Sequence, residues 1–131
     1  MKQIFAGIFA LGLSAGAAWA DTVQDVIGQQ LDAFNARDLP TAFGFASPTI
    51  KRIFETPDNF GSMVARSFPM VWDNSDTRYL GLRADGASSY QQVMIRDQTG
   101  VFHVLEYKMI PVGDGWQIDG VQVLPAPQVG A

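Results

Sequence analysis

The sequence predicts an α+β domain in which a long N-terminal helix and three short helices pack on a bent, four-stranded antiparallel sheet. Three observations carry this. Apolar residues recur at helical spacing from Val23 to Phe34. Polar residues stand in front of prolines at three later points, as they do at helix starts. From Thr77 onward the apolar period falls to two, and glycine-containing turns interrupt it at intervals.

The first helix begins at Thr22. Thr22 and Asp25 have the spacing of a capping box, in which hydroxyl and carboxylate satisfy amides that have no partner inside the helix. Val23, Val26, Ile27, Leu31 and Phe34 then form one stripe, with Gln24, Gln29 and Asp32 off it. A polar break follows at Asn35 to Asp38. Asp38 can cap a helix from Leu39 to Phe45, Ser47-Pro48 opens one that runs to Phe54, and Thr56-Pro57 opens one carrying Phe60, Met63 and Val64. Helices this short need tertiary support. Phe43, Phe45, Phe54, Phe60 and Phe68 are therefore expected in the core or on the wall of a pocket.

The four strands are expected at Thr77–Ala84, Ser88–Asp97, Val101–Pro111 and Gly115–Leu124. Asp85-Gly86, Thr99-Gly100 and Gly113-Asp114-Gly115 are turn sequences that accept positive φ, and links this short make a meander. In the last strand Trp116 and Ile118 share one parity and Val121 and Val123 the other. A regular strand would turn one pair to water, so a β-bulge at Asp119-Gly120 is expected, and with it a curved sheet.

These elements resemble the nuclear transport factor 2-like cone. The wording is closer to one bacterial family of unknown function, numbered 4864. The resemblance rests on Phe43-Gly44-Phe45-Ala46-Ser47-Pro48, on Thr56-Pro57 to Phe60-Gly61 with Met63-Val64, and on Phe68-Pro69-Met70-Val71-Trp72. It continues through Gln92-Val93, Tyr107 and Trp116-Gln117-Ile118-Asp119-Gly120-Val121. It implies a fold and an exported protein, and no activity. The wider superfamily holds isomerases, cyclases and binding modules, and fold does not choose among them.

The first twenty residues have the order of a secretory signal peptide. Lys2 is the positive region, Ile4 to Leu13 the short apolar run, and Ala18-Trp19-Ala20 the cleavage signature. The expectation is cleavage after Ala20 and a periplasmic or secreted protein with no stable membrane insertion. Residues 21–125 then form a single domain and 126–131 a tail. Removing 20 of 131 residues leaves 111, and losing Lys2 leaves eight basic residues against thirteen acidic ones, a net charge of −5. An acidic chain lacks the basic patch that nucleic acid requires. It has no cysteine, which excludes disulfides, a thiol nucleophile, zinc-thiolate ligation and a lipid-modified cysteine.

The sequence shows no nucleophile elbow, no phosphate-binding glycine loop and no paired-histidine metal motif, so no cofactor or metal is expected. His103 is the only histidine. It shares strand parity with Val101, Leu105, Tyr107 and Met109 and lies about 13 Å along the strand from Tyr107, close enough to line one pocket. The plain alternative is a histidine satisfied at the Thr99-Gly100 turn.

Asp119, at the expected bulge, is a candidate general base, with Tyr107 or Tyr90 as hydrogen-bond donor; it is equally a solvated bulge carboxylate. Trp72 is either a lid or the closure of one end of the core. The candidate ligand-binding set is thus Tyr90, His103, Tyr107, Asp119 and Trp72.

The expected function is a small binding or accessory module with an apolar pocket between the first helix and the sheet. Its partner would be a small hydrophobic molecule or a segment of another protein. The rival expectation is an isomerase- or cyclase-type enzyme with Asp119 or His103 as base. Phe102, Val104 and Ile110 around Glu106 and Lys108 would form an outer sheet face suited to a homodimer.

Overall fold

The computed structural model describes residues 22–125. The expected signal segment and the tail from 126 lie outside them. Five helices precede four strands: α1 Val23–Asn35, α2 Leu39–Gly44, α3 Pro48–Phe54, α4 Pro57–Ser67, α5 Pro69–Trp72, then β1 Asn74–Asp85, β2 Ser88–Asp97, β3 Phe102–Val112 and β4 Gly115–Leu124. The sheet is an antiparallel meander in the order β1-β2-β3-β4.

Each helix start expected from capping chemistry is present. Thr22 and Asp25 form both halves of a capping box. Asp38, Ser47 and Thr56 accept from the backbone amides of Thr41, Ile50 and Asn59. Gly86, Gly100 and Gly113 adopt positive φ in the three strand connections. Two regions differ from expectation by more than one residue. Pro69–Trp72, read as a linker, is a turn of helix, and β1 begins three residues earlier, at Asn74. Both follow from Asn74. Its buried amide donates to the carbonyls of Leu31 and Val71, tying the ends of α1 and α5 to the first strand. The chain is thereby folded tightly where the sequence reads as a connection.

The bulge in β4 is where parity requires it. Lys108 pairs with Gly120 and Met109 with Ile118, which leaves Asp119 unpaired in the ladder. Trp116, Ile118 and Val121 consequently all pack on the core. Val123 does not, and is 44% exposed.

A second bulge lies in β1, between Tyr79 and Leu82. Fully buried Gln91 closes it: its Nε2 donates to the carbonyls of Leu80 and Gly81 and its Oε1 accepts from Gln24. A glutamine inside a sheet is tolerated because it meets backbone groups that the bulge leaves unpaired.

The core lies between the helices and one face of the sheet. Val93, Ile95, Leu105, Tyr107, Met109 and Ile118 meet Val26, Ile27, Leu31 and Phe34 of α1. Phe60 of α4 is an aromatic hub, with ring centroids 5.3 to 5.9 Å from Phe43, Phe34 and Phe54.

Candidate functional site

A pocket of about 290 Å³ opens between the helices and the far half of the sheet. Its buried end is formed by Phe34 of α1, Phe60 and Val64 of α4, Val71 of α5, and Tyr107 and Ile118 of the sheet. Ile50 and Phe54 of α3 and Met63 of α4 are half-buried and mark its rim. The walls are almost wholly carbon. Gln30 is the one wall residue with a polar side chain besides Tyr107; its amide donates to the carbonyl of Ala42, which fixes it.

The pocket exists because α3 is held away from the core. Ser47, fully buried, caps α3 with its hydroxyl and also donates that hydroxyl to Asp119 Oδ1 at 2.7 Å. Its amide donates to the Ile118 carbonyl, and the Ile118 amide donates to Phe45. The segment before α3 is thus laid along β4 as an isolated parallel bridge, Ala46 to Ile118. Ile50 and Phe54 then overhang the space below, and no residue of α3 is fully buried.

Of the five sequence candidates, only Tyr107 lines this pocket. Its ring forms part of the wall, while its hydroxyl is sealed from solvent and has no hydrogen-bond partner among the described residues. Burial, and secondarily the field of Tyr79, pushes the phenol well above the usual tyrosine range. It is not an acid or base in the ordinary pH range.

His103 keeps the expected parity, since it pairs with buried Ile95, but it lies beyond the pocket in a separate cleft with Pro69, Met70 and Thr99. Its Nε2 is 2.9 Å from Asp97 Oδ2. Asp97 Oδ1 in turn accepts from the Thr99 hydroxyl and from the Thr99 and Val101 amides. The Thr99 hydroxyl first, then His103, hold this carboxyl well below the usual range. Together these groups build the β2–β3 turn.

Tyr90 is on the opposite face of the sheet from Gln91 and Tyr107, with the Arg83 guanidinium 4.2 Å from its ring centre. Contrary to the expectation from sequence, it therefore does not face the pocket. Asp119 is occupied by Ser47 and, at 3.5 Å, by Lys108, and is not a wall residue. Trp72 is half-buried against Phe34, with the Arg37 guanidinium 3.9 Å from its ring centre, and closes one end of the core.

Ile50 is a wall residue without a sequence signal of its own, whereas Met63 stands with Phe60 and Val64 on the expected helix from Pro57. Gln30 had one: it lies three and four residues from Ile27 and Val26 and four before Phe34, so it belongs to the apolar stripe of α1.

The outer sheet face carries Phe102, 58% exposed, while Val104 is nearly covered and Ile110 half-buried. Among the described residues no helix is long and apolar enough to cross a membrane, and no three acidic or histidine side chains group as metal ligands.

A family model described as a domain of unknown function (DUF4864) matches residues 17–131. No curated protein and no solved structure matches the chain.

Proposed function

The chain belongs to the DUF4864 family, a domain of unknown function, and we propose that it is an exported module that binds a small hydrophobic molecule between α1, α3, α4 and the sheet. The observation that carries this is the carbon-walled pocket of about 290 Å³. An apolar cavity of roughly 150 Å³ is enough to take up benzene, so this one suits a ligand about twice that size. Water gains little there, because few wall atoms can hydrogen-bond it.

Each methylene moved from water into such a site contributes about 0.8 kcal/mol, against an association cost of some 4–15 kcal/mol. A chain of two or three carbons, at about 2 kcal/mol, falls below even the lower end of that cost, whereas one of about eight, at about 6 kcal/mol, exceeds it. The bent sheet around α1 is in keeping with a nuclear transport factor 2-like cone, which we include in the proposal. Lys2, the apolar run Ile4 to Leu13 and Ala18-Trp19-Ala20 support export with cleavage after Ala20.

The test is native mass spectrometry on the chain exported by its own host, then denaturing mass analysis. A stoichiometric adduct lost on denaturation is the expected result, and the denatured mass should begin at Asp21. The mature chain should also take up the neutral dye N-phenyl-1-naphthylamine with a blue shift, and Ile50→Trp at the rim should abolish that uptake. A clean apo mass together with dye uptake unaffected by Ile50→Trp would refute the proposal. The same spectrum reads whether the chain is a monomer or a dimer.

A further inference from the structure

The rim of the pocket is shared with a second, more polar groove. Phe54 and Met63 belong to both. The outer groove adds Asn59, Ser62 and Arg66 from one face of α4, and Glu55 at the end of α3. Positions 59, 62 and 66 follow helical spacing, so their side chains stand in a row beside the Met63 rim.

Arg66 is exposed and, like Lys51, Arg52, Arg78 and Arg96, makes no ion pair among the described residues; of these it is the one that lines the groove joined to the pocket rim. Glu55, in the same groove, has no ion-pair partner among the described residues and lies beyond 4 Å from the guanidinium. Its backbone has φ 72°, a left-handed conformation that turns the chain sharply between α3 and α4.

Resting on the binding function above, we propose that the ligand is a medium-chain amphiphile with a single anionic head: its tail fills the carbon-walled pocket and its carboxylate lies against Arg66, within reach of the Ser62 hydroxyl. A guanidinium is the side chain best shaped to hold a carboxylate, through two parallel N–H donors. Glu55 limits the head to one charge, because a second anion would be repelled. At about 30 Å³ for a group the size of a water molecule, close to that of a methylene, the inner pocket holds a chain of roughly eight to ten carbons.

Calorimetric titration of the mature chain with decanoate and with 1-decanol tests this. Both should bind, decanoate more tightly. Arg66→Ala should weaken decanoate about fivefold, the upper range for an exposed charge pair, and leave decanol unchanged. Glu55→Gln should tighten decanoate alone. Raising salt should erode only the decanoate advantage. Equal binding of both ligands, or an Arg66→Ala effect of the same size on both, would overturn the anionic head while leaving the pocket in place. Failure of both ligands to bind would overturn the pocket function and this inference with it.

Discussion

Ser47 and Asp119, 72 residues apart, share a 2.7 Å hydrogen bond that joins the start of α3 to the bulge of β4. The bulge turns Asp119 out of the ladder, and Ser47 uses it while still capping its own helix. Ser47→Ala removes the cap and leaves the carboxylate with Lys108 alone. The expected loss is about 1–3 kcal/mol. At about 4–8 °C per kcal/mol for a domain near this size, thermal unfolding followed by circular dichroism should show a fall of at least several degrees. An unchanged midpoint would mean that the latch contributes nothing.

Tyr107 should gain from losing its hydroxyl. The oxygen is buried without a partner, a state that costs about 1–3 kcal/mol. Tyr107→Phe is therefore expected to be neutral or stabilising in urea denaturation. Tyr79→Phe is the control, because its hydroxyl donates to the Gln24 carbonyl at 3.0 Å and the change should destabilise by about 1 kcal/mol.

The alkaline limb follows from the same burial. The folded phenol of Tyr107 is raised above the ordinary value of 10.0. The folded state holds its proton where the unfolded state releases it. Stability is thus full below pH 10 and falls as pH rises beyond it, by up to about 1.4 kcal/mol per pH unit from this group. Tyrosinate absorbance should appear for Tyr107 only together with unfolding, and Tyr107→Phe should flatten that limb.

In acid, Asp97 governs the β2–β3 turn. Its folded carboxyl titrates well below its ordinary 3.8, chiefly through the Thr99 hydroxyl and His103. Its contribution is present above that value and is lost as pH falls below it towards the folded pKa. Asp97→Asn should be less stable than the parent at pH 6 and approach it near pH 2. A constant gap between the two stability curves would show that the carboxylate charge is irrelevant.

Arg37 should not tolerate lysine. It sits at φ 56°, donates to the Phe34 and Trp72 carbonyls, pairs with Asp73 at 2.7 Å and covers the Trp72 ring. An ammonium has no planar fork to reach these groups together. Arg37→Lys should exceed the roughly 0.5 kcal/mol typical of surface changes, and the near-ultraviolet signal of Trp72 should weaken.

Signals that act within four residues were legible in the sequence. The Thr22–Asp25 box, the Asp38, Ser47 and Thr56 caps, the turn glycines and the bulge at Asp119 depend on backbone groups next to the residue that satisfies them. The bulge in β1 has a sequence signal too, since Gly81 interrupts a strand pattern. Gln91 had none, because a glutamine that closes a bulge from inside reads like one facing water.

The sequence by itself determined the order of the first four helices and the four strands, the capped helix starts and the side-chain period of the strands, since these follow from local hydrogen bonding and side-chain period. Only the tertiary structure decided which side chains meet. His103 has the parity of Tyr107, yet it lies past the region where α3 and α4 overhang the sheet and falls into another cleft. Ile50 and Met63, on helices too short to stand alone, become the rim because Ser47 fixes α3 on β4 from across the chain. Period places a residue on a face, but the contacts between distant elements decide how far along that face a pocket extends.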